Sequence, residues 1–297
     1  MLTNKTIVPF LLGMFMIPFA VLGQYTETIN TNNPGQSQGA FAVGVNVIQV
    51  EGSAFYRSEE HSLLNYERDI TGLAFQLRYG LLWEELEISY FGAFENVNET
   101  INQGFGTQEN KFSNFSRSTL GAKYLILDPL KKWGERKVNL YSYHDNRRLK
   151  WRDLVPAISV FAGANIDLAD PNSLLPPDNA TFSPRAELIT QNNFGRWVFV
   201  GNFIADRIGT DFPAYGGIFT LTHSINNKWA AFGEFQTIIS DFYSDDIARA
   251  GGAYLINDHW QLDASAAVNF KDTPSLFQIN VGMSYRIDRH KDPVIQQ

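Results

Sequence analysis

The chain has no cysteine, only five histidines, and no apolar run of membrane-helix length after its N-terminal stretch. Without cysteine there is no disulfide framework, no thiolate metal site and no lipid-anchored N-terminal Cys. The histidines are scattered and offer no ligand spacing such as H-x-x-x-H, so neither a metal nor any other cofactor is expected. A net charge of −7 over 297 residues gives no electrostatic ground for a nucleic-acid partner. With no spanning helix, membrane residence requires a closed barrel, because lipid leaves an open sheet edge unpaired.

The N-terminus carries Lys5, then the apolar "TIVPFLLGMFMIPFAVL", then Val21 and Gly23 at the −3 and −1 places of a cleavage site. This pattern predicts a signal peptide over 1–23 and export of the remainder. Pro9 and Pro18 interrupt the apolar run and no basic flank follows it, which argues against a stop-transfer anchor.

What fills the rest of the chain is alternation. In "FQINVGMSYRI", Phe277, Ile279, Val281, Met283, Tyr285 and Ile287 share one strand face, and Gln278, Asn280, Gly282, Ser284 and Arg286 the other. "LEISYFGAF" and "WQLDASAAVNF" repeat the pattern. Twelve such segments are read, over 46–58, 70–82, 84–97, 114–126, 156–168, 183–194, 196–208, 214–225, 228–240, 247–257, 259–270 and 275–287. Each is near the about 10 residues that a tilted strand needs to cross a bilayer.

Tight connections ("WE", "GR", "NNK", "ND") follow the second, sixth, eighth and tenth segments, and longer ones follow the odd-numbered segments. Trp83, Trp197, Trp229, Trp260, Tyr215, Tyr254 and Tyr285 fall near segment ends, where interfacial girdles belong. The expectation is a 12-stranded antiparallel transmembrane β-barrel over 46–287, in the bacterial outer membrane, with both termini periplasmic. Residues 24–45 read as a periplasmic lead-in, with a lumen plug as the alternative, and 288–297 as a periplasmic tail.

The connection over 128–155 breaks the pattern of tight turns. Lys131, Lys132, Arg147, Arg148, Lys150 and Arg152 are interleaved there with aromatic residues, among them Trp133 and Trp151. These eight residues suit a segment lying against lipid head groups, or a docking site for another envelope-complex subunit.

The stretch "TNNPGQSQGAFAVGVNVIQVEGSAFY", with Pro34, Ser37-Gln38 and Gln49-Val50-Glu51-Gly52, resembles the opening of the phenol meta-pathway transporter barrels. "LGAKYLILDP", "PAISVFAGANIDL", "TQNNFG", "FIADRI" and "NFKDTPS" are similar to the transporter barrels of Bacteroidota. The resemblance covers nearly all of the chain after 23 and implies an outer-membrane barrel of about this size. It departs at Asn33, where an Arg would be expected before the proline, so no role for that Arg is carried over.

The sequence carries no catalytic constellation of the kinds that barrel enzymes use. A barrel phospholipase needs a His and a Ser two apart on one face, whereas His223 and Ser224 are adjacent and point to opposite faces. Asp245-Asp246 and the D-x-H pair Asp288 and His290 lie toward opposite ends of the expected barrel. No activated nucleophile or acid–base pair results, and no enzyme is expected.

The lumen remains. With apolar faces outward, Glu51, Arg78, Glu85, Glu87, Arg117, Lys123, Asp167, Arg185, Glu187, Asp206, Glu234, Arg249 and Asp263 turn inward. A mixed-charge interior suits a passive channel for small molecules. A non-catalytic structural subunit of an assembly or secretion complex, docking through 128–155, is the alternative. Outer-membrane lipid is the expected surrounding. The spacing of Asn280, Gly282, Tyr285 and Ile287 in the closing strand resembles the signal read by the barrel-assembly machinery.

Overall fold

The computed structural model describes residues 28–103, 106–134, 140–142, 150–168, 172–175 and 181–290. The expected signal peptide, Arg147 and Arg148 of the basic connection, and residues 291–297 lie outside the described residues.

Twelve strands form one closed antiparallel barrel in which each pairs with its chain neighbours and the last pairs with the first. They are β1 (Val47–His61), β2 (Tyr66–Gly80), β3 (Leu86–Gln103), β4 (Gly106–Leu127), β5 (Ala157–Ile166) and β6 (Phe182–Phe194), then β7 (Trp197–Asp206), β8 (Ala214–Ser224), β9 (Trp229–Ser240), β10 (Asp245–Asn257), β11 (Trp260–Asn269) and β12 (Ser275–Asp288). Closure leaves no unpaired edge, as a sheet in lipid requires. No helix among the described residues is long and apolar enough to cross a membrane. A short helix α1 (Pro129–Trp133), capped by the Asp128 carboxylate, and a 3-10 turn (Trp151–Leu154) interrupt the connection between β4 and β5.

The alternation sorts side chains across the wall. On β12, Phe277, Ile279, Val281 and Met283 are exposed on the outside, while Asn280, Ser284 and Arg286 are buried within. On β11, Leu262 and Val268 point out, and Asp263, Ser265 and Ala267 point in. The outer surface is thus an apolar band that needs lipid to cover it. At the end of the barrel where β1 begins and β12 stops, called here the terminal end, Trp197 lies against His223 (4.1 Å), Trp229 against Tyr254 (4.7 Å) and Trp260 against Tyr285 (4.2 Å). These cross-strand stacks form an interfacial girdle.

A consequence follows for the outer face. Val281, 65 % exposed at mid-strand, should resist charge: Val281→Arg is expected to cost about 2–4 kcal/mol. Gln278 lines the inner cavity, and Gln278→Arg should cost well under that. Reversible urea unfolding in lipid vesicles measures both, and equal costs would contradict this assignment of faces.

Two connections differ from expectation. β3 and β4 do not stop near the bilayer rim but stay paired out to Gln103 and Gly106, so the expected long loop is an extended hairpin. β1 and β2 likewise run on, leaving only residues 62–65 between them. Beyond the bilayer both strand faces meet water, so the sequence alternation fades while the backbone ladder continues.

Candidate functional site: an occupied lumen

The segment before β1 is not a free lead-in. Residues 28–46 run inside the barrel in its terminal half, held mostly through their backbone by side chains of the wall. The chain enters at the terminal end, where Arg286 donates to the Thr28 carbonyl (3.0 Å) and the Ile29 amide donates to the Asp258 carbonyl (2.9 Å). The Asn30 carbonyl accepts from Gln49 (2.9 Å) and Arg78 (2.8 Å). Glu51 Oε2 accepts from the amides of Asn32 (2.9 Å) and Asn33 (3.0 Å). The segment then reaches Glu234, whose carboxylate takes the amides of Gln36 and Ser37 and the Thr220 hydroxyl.

It returns along the opposite wall. Asn202 pairs with Gln38 in both directions, accepting from its amide (2.6 Å) and donating to its carbonyl (2.9 Å). Lys123 Nζ donates to the carbonyls of Gly39 (2.9 Å) and Phe41 (3.1 Å). Ser159 donates to the Ala40 carbonyl, Gln191 accepts the Ala40 amide, and Glu87 accepts the Val43 amide. Ala40 and Phe41 also pack on an apolar patch of the inner wall made by Phe91, Ala157, Phe161 and Ile189. The irregular backbone of a loop would be costly in a dry interior, and here charged and amide side chains satisfy it.

Charge matches position. Carboxylates meet amides and cations meet carbonyls, so each ionised group gains charge-assisted bonds. The same groups pair among themselves: Arg78 with Glu51 (3.1 Å) and Glu87 (2.9 Å), Lys123 with Glu87 (3.3 Å), and Arg249 with Glu234. Gly35 passes close to Glu234, and a Cβ there would lie 2.6 Å from its Oε2. Gly282 makes room in the same way for the Asp263 carboxylate, which an added Cβ would meet.

Above the segment a cavity of about 820 Å³ extends toward the loop end. Its wall mixes the ion-paired Arg57, Glu59, Glu95 and Arg68 with apolar groups such as Phe55, Phe91 and Ile70. A smaller cavity of about 240 Å³ adjoins β4 to β9, and Gln36 lines both.

Of the residues placed inward by sequence, Glu51, Arg78, Glu87, Lys123, Glu187, Glu234, Arg249 and Asp263 are buried on the inner wall. Arg117, Arg185 and Asp206 border the smaller cavity from their strands, and Asp167 borders it from just past β5. Glu85 is a correction. It precedes β3, sits at the terminal rim and pairs with Lys131 of α1, so strand parity does not carry it into the lumen. Sequence reasoning passed over Gln49, Gln76, Ser159, Gln191, Asn202 and Thr220, all buried polar residues facing the segment or its partners. Their signal was a polar residue in each inward register, too ordinary to single out.

In the basic connection, Lys132 and Arg152 lie over the Trp133 ring at 5.5 and 5.9 Å. Lys150 stands at the start of the 3-10 turn, where its amide donates to the Asp153 carboxylate (3.0 Å), and Trp151 is exposed. Asn280, Gly282, Tyr285 and Ile287 all lie in β12, the first two turned inward and the last two outward near the terminal end. Among the described residues no group of three or more His, Asp and Glu could hold a metal.

A family profile described as "Putative MetA-pathway of phenol degradation" matches residues 31–287. The chain belongs to that family. In this member of the phenol MetA-pathway family the matched span takes in the lumen segment from Thr31 together with all twelve strands. Among solved structures, the fold is similar to the COG4313 outer membrane channel from Pseudomonas putida F1, with a TM-score of 0.53 at 10% identity, covering 87% of this chain and 100% of that one. The KdgM porin matches at a TM-score of 0.42 and 11% identity, covering 80% of this chain and 99% of that one. At such identities the likeness is one of fold. No match was found among curated proteins.

Proposed function

We propose that this barrel is an outer-membrane channel for small molecules, with its terminal half occupied by residues 28–46. The cavity of about 820 Å³ that runs from the loop end down to that segment carries the reading. It is bounded by charges that water or solute can reach, inside a wall whose outer face is apolar. Family membership and the fold shared with an outer-membrane channel support a passage over a docking subunit. The terminal end would then face the periplasm, as short turns usually do. The outward-facing Tyr285 and Ile287 of β12 would serve insertion, and the basic connection would rest against lipid head groups.

Reconstitution into planar bilayers tests this. The expected result is small, intermittent single-channel conductance, well below that of an unobstructed barrel. Large steady conductance would mean that the segment does not occupy the lumen in lipid.

A further inference from the structure

The rule that carboxylates in the lumen meet amides fails at Asp263. This residue is 5% exposed on the inner face of β11, and neither carboxylate oxygen has a hydrogen-bond partner among the described residues. Its neighbours on that face, Gln261 and Ser265, spend their donors on the lumen segment. Gln261 Nε2 donates to the Thr31 hydroxyl (2.6 Å) and the Asn33 carbonyl (3.3 Å), and Ser265 donates to the Pro34 carbonyl (3.4 Å). The segment thus turns carbonyl oxygens, not amides, toward β11 on either side of Asp263.

The neighbouring charge whose field reaches Asp263 is another carboxylate, Glu51. Glu51 is already engaged by Gln49, Arg78 and two amides of the segment. Between the two carboxylates runs β12, with Gly282 opposite Asp263 and Ser284 opposite Glu51. The bare Gly282 lets Asp263 fold across β12 toward β1. A Cβ on Gly282 would lie 3.0 Å from both the Asp263 Cγ and the Gly52 carbonyl oxygen. Ser284, the next inward residue of β12, is fully buried, and its hydroxyl is likewise without a partner among the described residues.

An ionised carboxylate needs a counter-charge in a dry interior. This corner offers only oxygen: a free carboxylate, a free hydroxyl and carbonyls of the segment. Hard oxygen donors suit an alkali or alkaline-earth cation. One uncompensated carboxylate balances one positive charge, which selects a monovalent ion over a divalent one.

We propose that Asp263, the Ser284 hydroxyl and the segment's carbonyl oxygens around Pro34 form a binding site for a small monovalent cation such as Na⁺. The ion ties the descending leg of the segment to β11 and β12. The site rests on the occupied lumen of the reading above and does not require conduction.

Urea unfolding of the full chain in phosphatidylcholine vesicles tests it, with NaCl replacing choline chloride at constant ionic strength. Choline is too large for the site. In 100 mM NaCl the unfolding equilibrium constant should fall about tenfold, the effect of a ligand at about ten times its dissociation constant. Asp263→Asn should unfold alike in both salts, because its amide can donate to the carbonyls that the ion would bridge. Ser284→Ala should need severalfold more Na⁺ for the same effect. Heat-modifiable migration on gels verifies that each variant is a folded barrel. Equal unfolding of the intact chain in both salts overturns the site and leaves Asp263 holding a proton instead. A sodium effect that survives Asp263→Asn, or that Ser284→Ala leaves unchanged, also overturns it. Conductance reports on the passage separately: a non-conducting barrel with the Asp263-dependent sodium effect loses the passage alone, and a conducting barrel without it loses the site alone.

Discussion

A chain lacking residues 24–44 will form the same barrel and conduct severalfold more current than the intact chain. The barrel does not need the segment for closure: β1 starts at Val47 and pairs with β12 and β2 along its whole length. The apolar outer band is untouched, and it supplies the free energy of residence in lipid. What is lost lies inside. Glu51, Glu87 and Glu234 lose backbone amides, and Lys123 loses two carbonyls. These groups keep one another, through Arg78, Lys123 and Arg249, and water replaces the segment. Charges in a wet lumen cost little, so folding survives and the terminal half of the passage opens. Paired bilayer recordings decide the matter. Unchanged conductance in a deletion variant that still shows the folded band would place the obstruction elsewhere in the lumen.

The hold on the segment is unusual in being addressed to its main chain. Side chains of β1 through β9, β11 and β12 reach it, and most of them touch an amide or a carbonyl. Such recognition fixes the path of the backbone and leaves many side chains of the segment free of specific demands. The exceptions are positional: Gly35 where Glu234 comes close, Asn32 bonded to Gln76 (3.1 Å), and Gln38 bonded to Glu187 (2.8 Å).

The barrel was legible because lipid imposes one rule on every strand. An outward residue must be apolar, so alternation persists through β11 and β12 without a break, and tight turns mark the terminal end. Where lipid stops, the rule stops. The stretch around 98–113 is mostly polar on both faces, and its hairpin is held by backbone pairs such as Glu99 with Asn110, which leave no periodic trace. The lumen was legible in sign but not in content. Parity found the inward charges, yet it read Glu85 as one of them because parity does not say where a strand begins. The segment over 28–46 has no periodicity of its own, since its partners come from strands spread across the sequence. Its trace was indirect: inward carboxylates on β1, β3 and β9 that a mere water channel would not need so close together.

The strongest single contribution to that occupied state should come from Arg78. Its side chain is 1% exposed and donates to Glu87 twice (2.9 Å each), to Glu51 (3.1 Å) and to the Asn30 carbonyl (2.8 Å). Arg78→Met therefore strands two carboxylates beside a single Lys123 and frees one carbonyl of the segment. Breaking a buried pair from one side costs about 3–5 kcal/mol, because the remaining charge is left uncompensated. The variant should lose about 3 kcal/mol of unfolding free energy and should conduct more often, as the segment loosens around Asn30. Arg78→Lys should recover only part of both effects, since a point charge cannot reach all three acceptors in one geometry. Adding Glu87→Gln to Arg78→Met removes one stranded charge and should restore some stability, a coupling expected of groups in direct contact. If Arg78→Met instead costs no more than the about 0–1 kcal/mol of an exposed pair, with conductance unchanged, the lumen is wet enough that this network holds nothing in place.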